Sequence, residues 1–470
     1  MVEPLMAFEY QQASDEYLAK RGLRRHARVL HLWALGVGAV ISGDFFGWNF
    51  GLVSGGFGGM FYALIVMTVM YLGLCASIAE MSPALPHTGG AYSFARAAMG
   101  PWGGYITGLA ENMEYILTPA VIVVGIGGYL GAIFGTPKSA EPLWWAVCYA
   151  LFVALNIWGV ELSFRFSVAI TIAALVVLAV FWIGAAPHFD FARWTGEWMP
   201  MGWRGVLACL PFALWFYLAI EQLPLAAEES HDPKRDMPKG LLYGLLTLIA
   251  CAFLTLFLSA GIAPGAAKVG ASNEPLFLGF QTIFGTGAST RLLALVACTG
   301  LIASFHTIIF AYGRQIYSLS RAGYFPVWLS ETHGTRKTPH RALIAGAVMG
   351  YCVAFVLYLA GQESPVGAIL LNMAVFGAVI AYVLQMASFI ILRQKYPTLA
   401  RPFVSPLGVP GAVVTTAIAG VTLVTLFVNP AYNKGVVGAA AWFGLGVLYF
   451  ALRGRHRLVL APEEDFARRL

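Results

Sequence analysis

The sequence is poor in charge. Lys, Arg, Asp and Glu together make up 11% of its 470 residues, against about 25% in an ordinary soluble domain. That shortfall excludes a conventional soluble fold. The motifs of several chemistries are missing as well. No G-x-x-x-x-G-K-[ST] occurs, so the chain carries no ATP-driven motor of that type. No H-E-x-x-H and no paired C-x-x-C suggests a metal, and no G-x-G-x-x-G suggests a dinucleotide site. The six cysteines (Cys75, Cys148, Cys209, Cys251, Cys298 and Cys352) fall singly inside apolar runs, as small core residues do. An enzyme embedded in a membrane would need a nucleophile–base pair or a metal cluster within the bilayer, and the sequence offers neither. No cleavable signal peptide is expected, since Arg21, Arg24, Arg25 and Arg28 precede the first apolar run.

What the chain has in abundance is apolar length. It is 59% hydrophobic with a mean hydropathy of +0.73, and runs of 18 or more apolar residues recur along it. The pattern predicts an all-α polytopic membrane protein of 12 transmembrane helices. They lie at about 30–55, 58–82, 101–134, 143–161, 166–186, 204–227, 239–263, 288–321, 341–360, 365–393, 409–428 and 435–453. An even number of spans puts both termini on one side. That side carries 23 of the 29 Lys and Arg residues, the other side 6, so both termini are expected in the cytoplasm. The net charge of +6 is spread over short loops and does not indicate a nucleic-acid partner.

The first span contains Ile41-Ser42-Gly43-Asp44-Phe45-Phe46-Gly47-Trp48-Asn49-Phe50. A helix that merely crosses a bilayer has no use for two glycines and an aspartate at mid-depth, where the acid costs roughly 2.5–3.5 kcal/mol. The stretch therefore reads as an interrupted helix with a binding site at the interruption. The sixth span repeats the pattern with Pro211, the cluster Trp215-Phe216-Tyr217 and the intramembrane acid Glu221. Interrupted helices at corresponding places in two halves indicate a transporter built from five-span repeats. Five being odd, the second unit starts from the opposite side and the repeat is inverted. The expected organisation is a cytoplasmic segment 1–29, a first repeat 30–186, a second repeat 204–393, two peripheral helices over 409–453 and a cytoplasmic tail 454–470.

Several segments also resemble a known family. Ala226-Ala227-Glu228-Glu229-Ser230-His231-Asp232-Pro233-Lys234-Arg235-Asp236-Met237-Pro238-Lys239, Arg321-Ala322-Gly323-Tyr324-Phe325-Pro326 and Pro86-His87-Thr88-Gly89-Gly90-Ala91-Tyr92 look like signatures of the amino acid–polyamine–organocation (APC) transporter superfamily. Within it, Ile41 to Gly51, and Pro211 to Phe216 leading to Ala219-Ile220-Glu221, are similar to bacterial ethanolamine permeases. The resemblance implies a LeuT-like five-plus-five fold, alternating access and residence in the bacterial inner membrane. It also implies that Trp215 sits where a family aromatic closes over substrate, and that Glu221 occupies an acid position near the site. Glu111, with Glu114 on the same face of span three, falls toward the cytoplasmic gate.

Amino-acid permeases of this superfamily typically hold the substrate carboxylate on a Gly-small-Gly triplet in span one. Here the triplet reads Gly47-Trp48-Asn49, and Asp44 adds a negative charge nearby. An anion receptor is lost and a cation receptor gained, which fits ethanolamine or a close amine; choline, a polyamine or an amino acid is the alternative, and an amine sensor that does not transport is a further one. The expected substrate contacts are Ser42, Asp44, Phe45, Phe46, Trp48, Asn49, Tyr115, Trp215, Phe216, Glu221 and His306, with Trp215, Glu111 and Glu114 as gates. Each has a plainer reading: Asp44 as a helix cap, Glu221 and the Glu111–Glu114 pair as structural partners, His306 as a satisfied core residue. Glu80, Glu161, Glu228 and Glu229 lie at span ends and read as solvated or loop-paired. No metal or cofactor is expected. The coupling ion, a proton or sodium, stays open, because the span-five lysine of some proton-coupled relatives has no counterpart over Thr171 to Leu175. The expected partners are the small amine and membrane lipid, with the chain a monomer or weak dimer.

Overall fold

The structure, a computed structural model, describes residues 10–195, 198–272, 274–285, 290–359, 366–428 and 433–460. The remainder of the expected tails, residues 288–289 of span eight, 360 of span nine and 365 of span ten lie outside the described residues.

Backbone groups in hydrocarbon must be satisfied within the chain, so every apolar run folds as helix. Among the described residues, ten helices are long and apolar enough to cross a membrane. The two spans absent from that ten are the first and the sixth, each of which is cut into shorter pieces. The first span begins as the helix Val29–Val40, extends through Ser42–Phe45, breaks, and resumes at the turn Trp48–Phe50. From there Gly51–Ala84 runs on to a bend at Gly56 (φ 62°), which separates the end of the first span from the second. Ala91–Phe134 is bent at Gly100 (φ 79°), where the third span starts.

Spans four and five are Glu141–Trp158 and Val160–Ala185. Span six is Gly202–Leu214 followed, after an irregular turn, by the 3-10 helix Ile220–Glu229. Spans seven to twelve are Pro233–Gly261, Thr290–Arg321, His340–Leu359, Val366–Lys395, Gly408–Val428 and Asn433–Leu452. Two short helices, Ala266–Ala271 and Pro275–Phe284, lie between spans seven and eight. The twelve expected spans are thus present, with ends displaced by a few residues.

The core gathers where spans two, three, six, eight and ten pack together, span ten lying along span three and span two against span six. Spans eleven and twelve pack on spans two, ten and three and leave most of their surface facing outward. The terminal segments meet: Tyr10–Gln12 pairs in parallel with Leu458–Leu460.

Candidate binding site

Span one is opened by a side chain from span eight. In a regular helix the Ser42 N–H would donate to the Gly38 carbonyl. Instead the Ser304 hydroxyl stands between them, accepting from Ser42 N–H at 2.9 Å and donating to Gly38 O at 2.8 Å. A group inserted into the helical ladder loosens it at that turn. The complete break comes later than the first glycine of the stretch, at Phe46 (φ −163°, ψ 150°) and Gly47 (φ 99°). Ser42, Gly43 and Asp44 are still helical, so Asp44 sits in the last turn before the break.

Span six breaks over Trp215 to Ala219. Ala219 has φ 80°, a left-handed conformation uncommon for a residue with a Cβ. The Glu221 carboxylate folds back to accept the Ala219 N–H at 3.1 Å. The two breaks face each other. A Cβ on Gly43 would lie 3.0 Å from the Trp215 carbonyl carbon, and one on Gly47 would lie 2.6 Å from the Trp215 indole nitrogen. Trp48 stacks on Phe216 with ring centroids 5.2 Å apart. Glycine is thus required on span one because the span-six backbone and indole occupy the space of its side chain.

Beside this contact lies Asp44, 1% exposed. Neither carboxylate oxygen has a hydrogen bond of acceptable geometry. The Thr255 hydroxyl and Cys251 of span seven and Tyr217 of span six surround it. Thr255 accepts from the Trp182 indole at 3.3 Å. The carboxylate of Asp44 therefore caps no helix, and the N-cap position at Gly47 has no side-chain cap.

A second group of expected residues forms a separate cluster. Glu114 of span three meets Glu221 of span six, with Glu111 and Tyr115 alongside. Tyr71 of span two and Tyr382 of span ten join them through a hydroxyl–hydroxyl contact of 2.8 Å. Gln315 of span eight donates to Glu111 at 2.7 Å. Tyr217 stands between the two groups: its ring packs on Tyr71 at 5.1 Å and its hydroxyl meets Thr68 at 2.7 Å.

Three expected contacts are placed elsewhere. Asn49 is spent on the loop after span seven. Its amide donates to the carbonyls of Val269 (2.9 Å) and Ser272 (2.8 Å), and its oxygen accepts Gly47 N–H at 3.2 Å. With donors and acceptor engaged, Asn49 ties loop to span. His306 lies between spans four and five, bridging Asn156 (3.2 Å) and Ser163 (3.1 Å), with Phe152 and Phe166 against its ring. It is a hydrogen-bonded core residue. Phe45 presses on Gly300 of span eight. Phe46 is half-buried and meets Phe50 edge-on.

Two span-end acids are also not solvated. Glu80 is held by Arg393, Arg401 and the Ser405 N–H, and Glu229 is fully buried against Arg314 at 2.8 Å. Glu228 pairs with Arg321, and Glu161 with Arg165. Tyr71, Tyr382, Thr255 and Ser304 escape a reading of the sequence alone. A tyrosine or a small hydroxyl in an apolar run carries the same local signal whether it packs or faces a site.

Both faces are sealed around these groups. On the face bearing the termini, Arg314–Glu229 and Arg321–Glu228 lock spans six and eight. His26 and Ala27 N–H groups reach the Glu229 carbonyl, and the Tyr17 hydroxyl reaches the Arg321 carbonyl. On the other face the Asn49 clamp closes over the break, and Gly58 N–H donates to Trp198 O at 2.8 Å. Trp48, Trp215 and Phe216 are at most 3% exposed, so the arrangement is occluded.

Comparison with known proteins agrees with this architecture. Residues 28–452 match the family model described as amino acid permease. The chain is 29% identical to an uncharacterized transporter, R00093, of Rhizobium meliloti over 91% of its own length and 92% of the relative's. It is 27% identical to the branched-chain amino acid permease BcaP of Bacillus subtilis, covering 93% and 95%. It is 24% identical to the methylthioribose transporter of the same organism, again covering 93% and 95%. With two broken spans facing each other inside a twelve-helix bundle and a family match over nearly the whole chain, this protein belongs to the amino acid permease family of the APC superfamily, an all-α multi-pass membrane transporter of LeuT-like fold.

Proposed function

We propose that the protein is a secondary transporter importing ethanolamine or a closely related small amine across the bacterial inner membrane, with both termini in the cytoplasm. The observation that carries this reading is Asp44, a buried carboxylate beside the facing breaks of spans one and six, with no cation against it among the described residues and the neutral Thr255 hydroxyl as its polar neighbour. Intramembrane acids of this kind are functional by default. An ammonium would supply the missing charge, and the Tyr217 ring beside Asp44 suits a cation at ~0.5–2 kcal/mol.

The anion side of the argument points the same way. Gly47 N–H, a donor an amino-acid carboxylate would need, is already taken by Asn49. Trp48 fills the next position and stacks on Phe216. Alternating access between the inverted units 30–186 and 204–393 would then expose Asp44 to one face at a time. A monovalent cation moving inward gains ~2.3 kcal/mol per 100 mV of membrane potential.

The test is uptake of radiolabelled ethanolamine into proteoliposomes, with choline, serine and glycine as competitors. Saturable ethanolamine uptake that glycine does not compete supports the reading. Strong uptake of glycine or a branched-chain amino acid, with none of ethanolamine, overturns it and favours an amino acid substrate.

A further inference from the structure

We infer that a basic cavity on the face bearing the termini binds the phosphate headgroup of an anionic phospholipid. The cavity measures about 950 Å³. It lies between the end of span two, the helix leading into span three and the turn after span ten, and Tyr10 of the amino-terminal strand lines it as well. No residue of the two facing breaks reaches it. It is therefore a second site, independent of the one on which the transport reading rests.

Charge identifies the ligand. Arg96, Lys234 and Lys395 line the cavity, and among the described residues no aspartate or glutamate does. The cations come from separate segments: Arg96 from the helix before span three, Lys234 from the first turn of span seven and Lys395 from the end of span ten. The Arg96 guanidinium lies 5.1 Å from the centre of the Tyr324 ring and 5.8 Å from that of Tyr10, which hold it in place. Lys234 and Lys395 are exposed and form no ion pair among the described residues. Other cations of this face are neutralised within the chain, Arg314, Arg321 and Arg393 each by a glutamate. In the cavity no described acid supplies the matching charge. A phosphate does so, since its oxygens accept from several Lys and Arg donors at once. A cationic amine is repelled, so the transported substrate is not the occupant.

The walls make that phosphate a lipid's. Between the cations they are apolar, formed by residues such as Leu85, Pro86, Leu399 and Pro402. Just past Pro402, Val404 and Leu407 expose their side chains before span eleven begins at Gly408. A headgroup in the cavity can send its acyl chains along this strip into the bilayer, whereas a soluble phosphate leaves the strip uncovered. Basic pockets between helices at the cytoplasmic membrane surface suit anionic headgroups in this way. One wall also touches the closed face: His87 lines the cavity, and its ring nitrogen meets Arg321 at 3.0 Å. A lipid bound there backs the Arg321–Glu228 pair and stabilises the closed form by mass action.

Thermal unfolding of the lipid-stripped protein in detergent tests this. Dioleoylphosphatidylglycerol should raise the unfolding temperature saturably, while dioleoylphosphatidylcholine and soluble glycerol phosphate should not. In Lys234→Gln/Lys395→Gln, where both side chains are exposed and folding is not at stake, the concentration needed should rise roughly tenfold or more. Arg25→Gln/Arg28→Gln removes equal charge from exposed positions of the same face outside the cavity and should leave it unchanged. Native mass spectrometry should retain phosphatidylglycerol on the unaltered protein and lose it in the lysine variant. Equal stabilisation by phosphatidylcholine or by glycerol phosphate, equal weakening by the two double variants, or no retained lipid overturns the inference. An effect seen only after deletion of residues 461–470, which include Glu463, Glu464 and Asp465, assigns the cavity to the chain's own tail and overturns it too. No substrate is present in these measurements, so their failure leaves the ethanolamine reading untouched.

Discussion

Asp44, Asn49 and His306 are all polar residues inside apolar helices, and their surroundings give them different work. A polar group buried with its partners is structural, whereas one buried without them awaits a ligand. Asn49 and His306 have partners on neighbouring elements. Asp44 has none. Two outcomes follow at this scale. Asp44→Asn should abolish amine binding, read by isothermal calorimetry, while thermal unfolding in detergent shows the protein no less stable; unchanged affinity would remove Asp44 from the site. His306→Ala should do the reverse, leaving affinity intact but lowering stability by about 1–3 kcal/mol through the stranded Asn156 and Ser163 groups. The reading of His306 as a core residue was available from the sequence as an alternative. Only its bonded neighbours in spans four and five decide between the two.

At the scale of elements, the interruptions of spans one and six are set by close approach as much as by local propensity. Gly47 combines a positive φ with a neighbouring indole where its side chain would be. Gly47→Ala should therefore push Trp215 off span one and reduce uptake severely, and Trp215 fluorescence should report the displacement. Ala219 is the converse case. It adopts a left-handed conformation that costs a non-glycine residue roughly 1–2 kcal/mol. Ala219→Gly should relieve that cost and raise the unfolding temperature slightly, and a fall would show that the strain is not carried there. Thr171, in the region where some relatives carry a lysine, donates to the Ala34 carbonyl at 3.1 Å and so ties span five to span one. A neutral hydroxyl there leaves that contact without a titrating group.

Over the whole molecule, the closed face bearing the termini is held by buried charge. Arg314 and Glu229 are both inaccessible to solvent, and removing one partner of such a pair costs about 3–5 kcal/mol. Glu229→Ala should accordingly destabilise the closed form, seen as faster alkylation of a cysteine placed at Ser318 in a cysteine-free background. The terminal strands add a second fastening. Deleting residues 458–470 removes the partner of Tyr10–Gln12, and limited proteolysis should then cut the amino-terminal segment sooner than in the full chain. Equal cutting rates would mean that the other ties of this segment, such as Tyr17 to Arg321, suffice alone.

Span count, helical character and the presence of two broken helices were determined by the sequence itself. Each rests on local physics: twenty-odd apolar residues must form a helix in lipid, and glycine beside an acid at mid-span makes an unbroken one costly. The membership of the site was decided by tertiary structure. The stretch from Ile41 to Phe50 contains Ser42, Asp44, Trp48 and Asn49 within eight positions, yet the Ser42 N–H meets span eight, while Asp44, Trp48 and Asn49 face span seven, span six and the loop after span seven respectively. Successive helical residues point in different directions, and what lies in each direction comes from segments up to some 260 residues away. Glu114 and Glu221 likewise stand 107 positions apart in the chain. Their meeting, and hence the unpaired oxygens between them, exists only once spans three and six have packed.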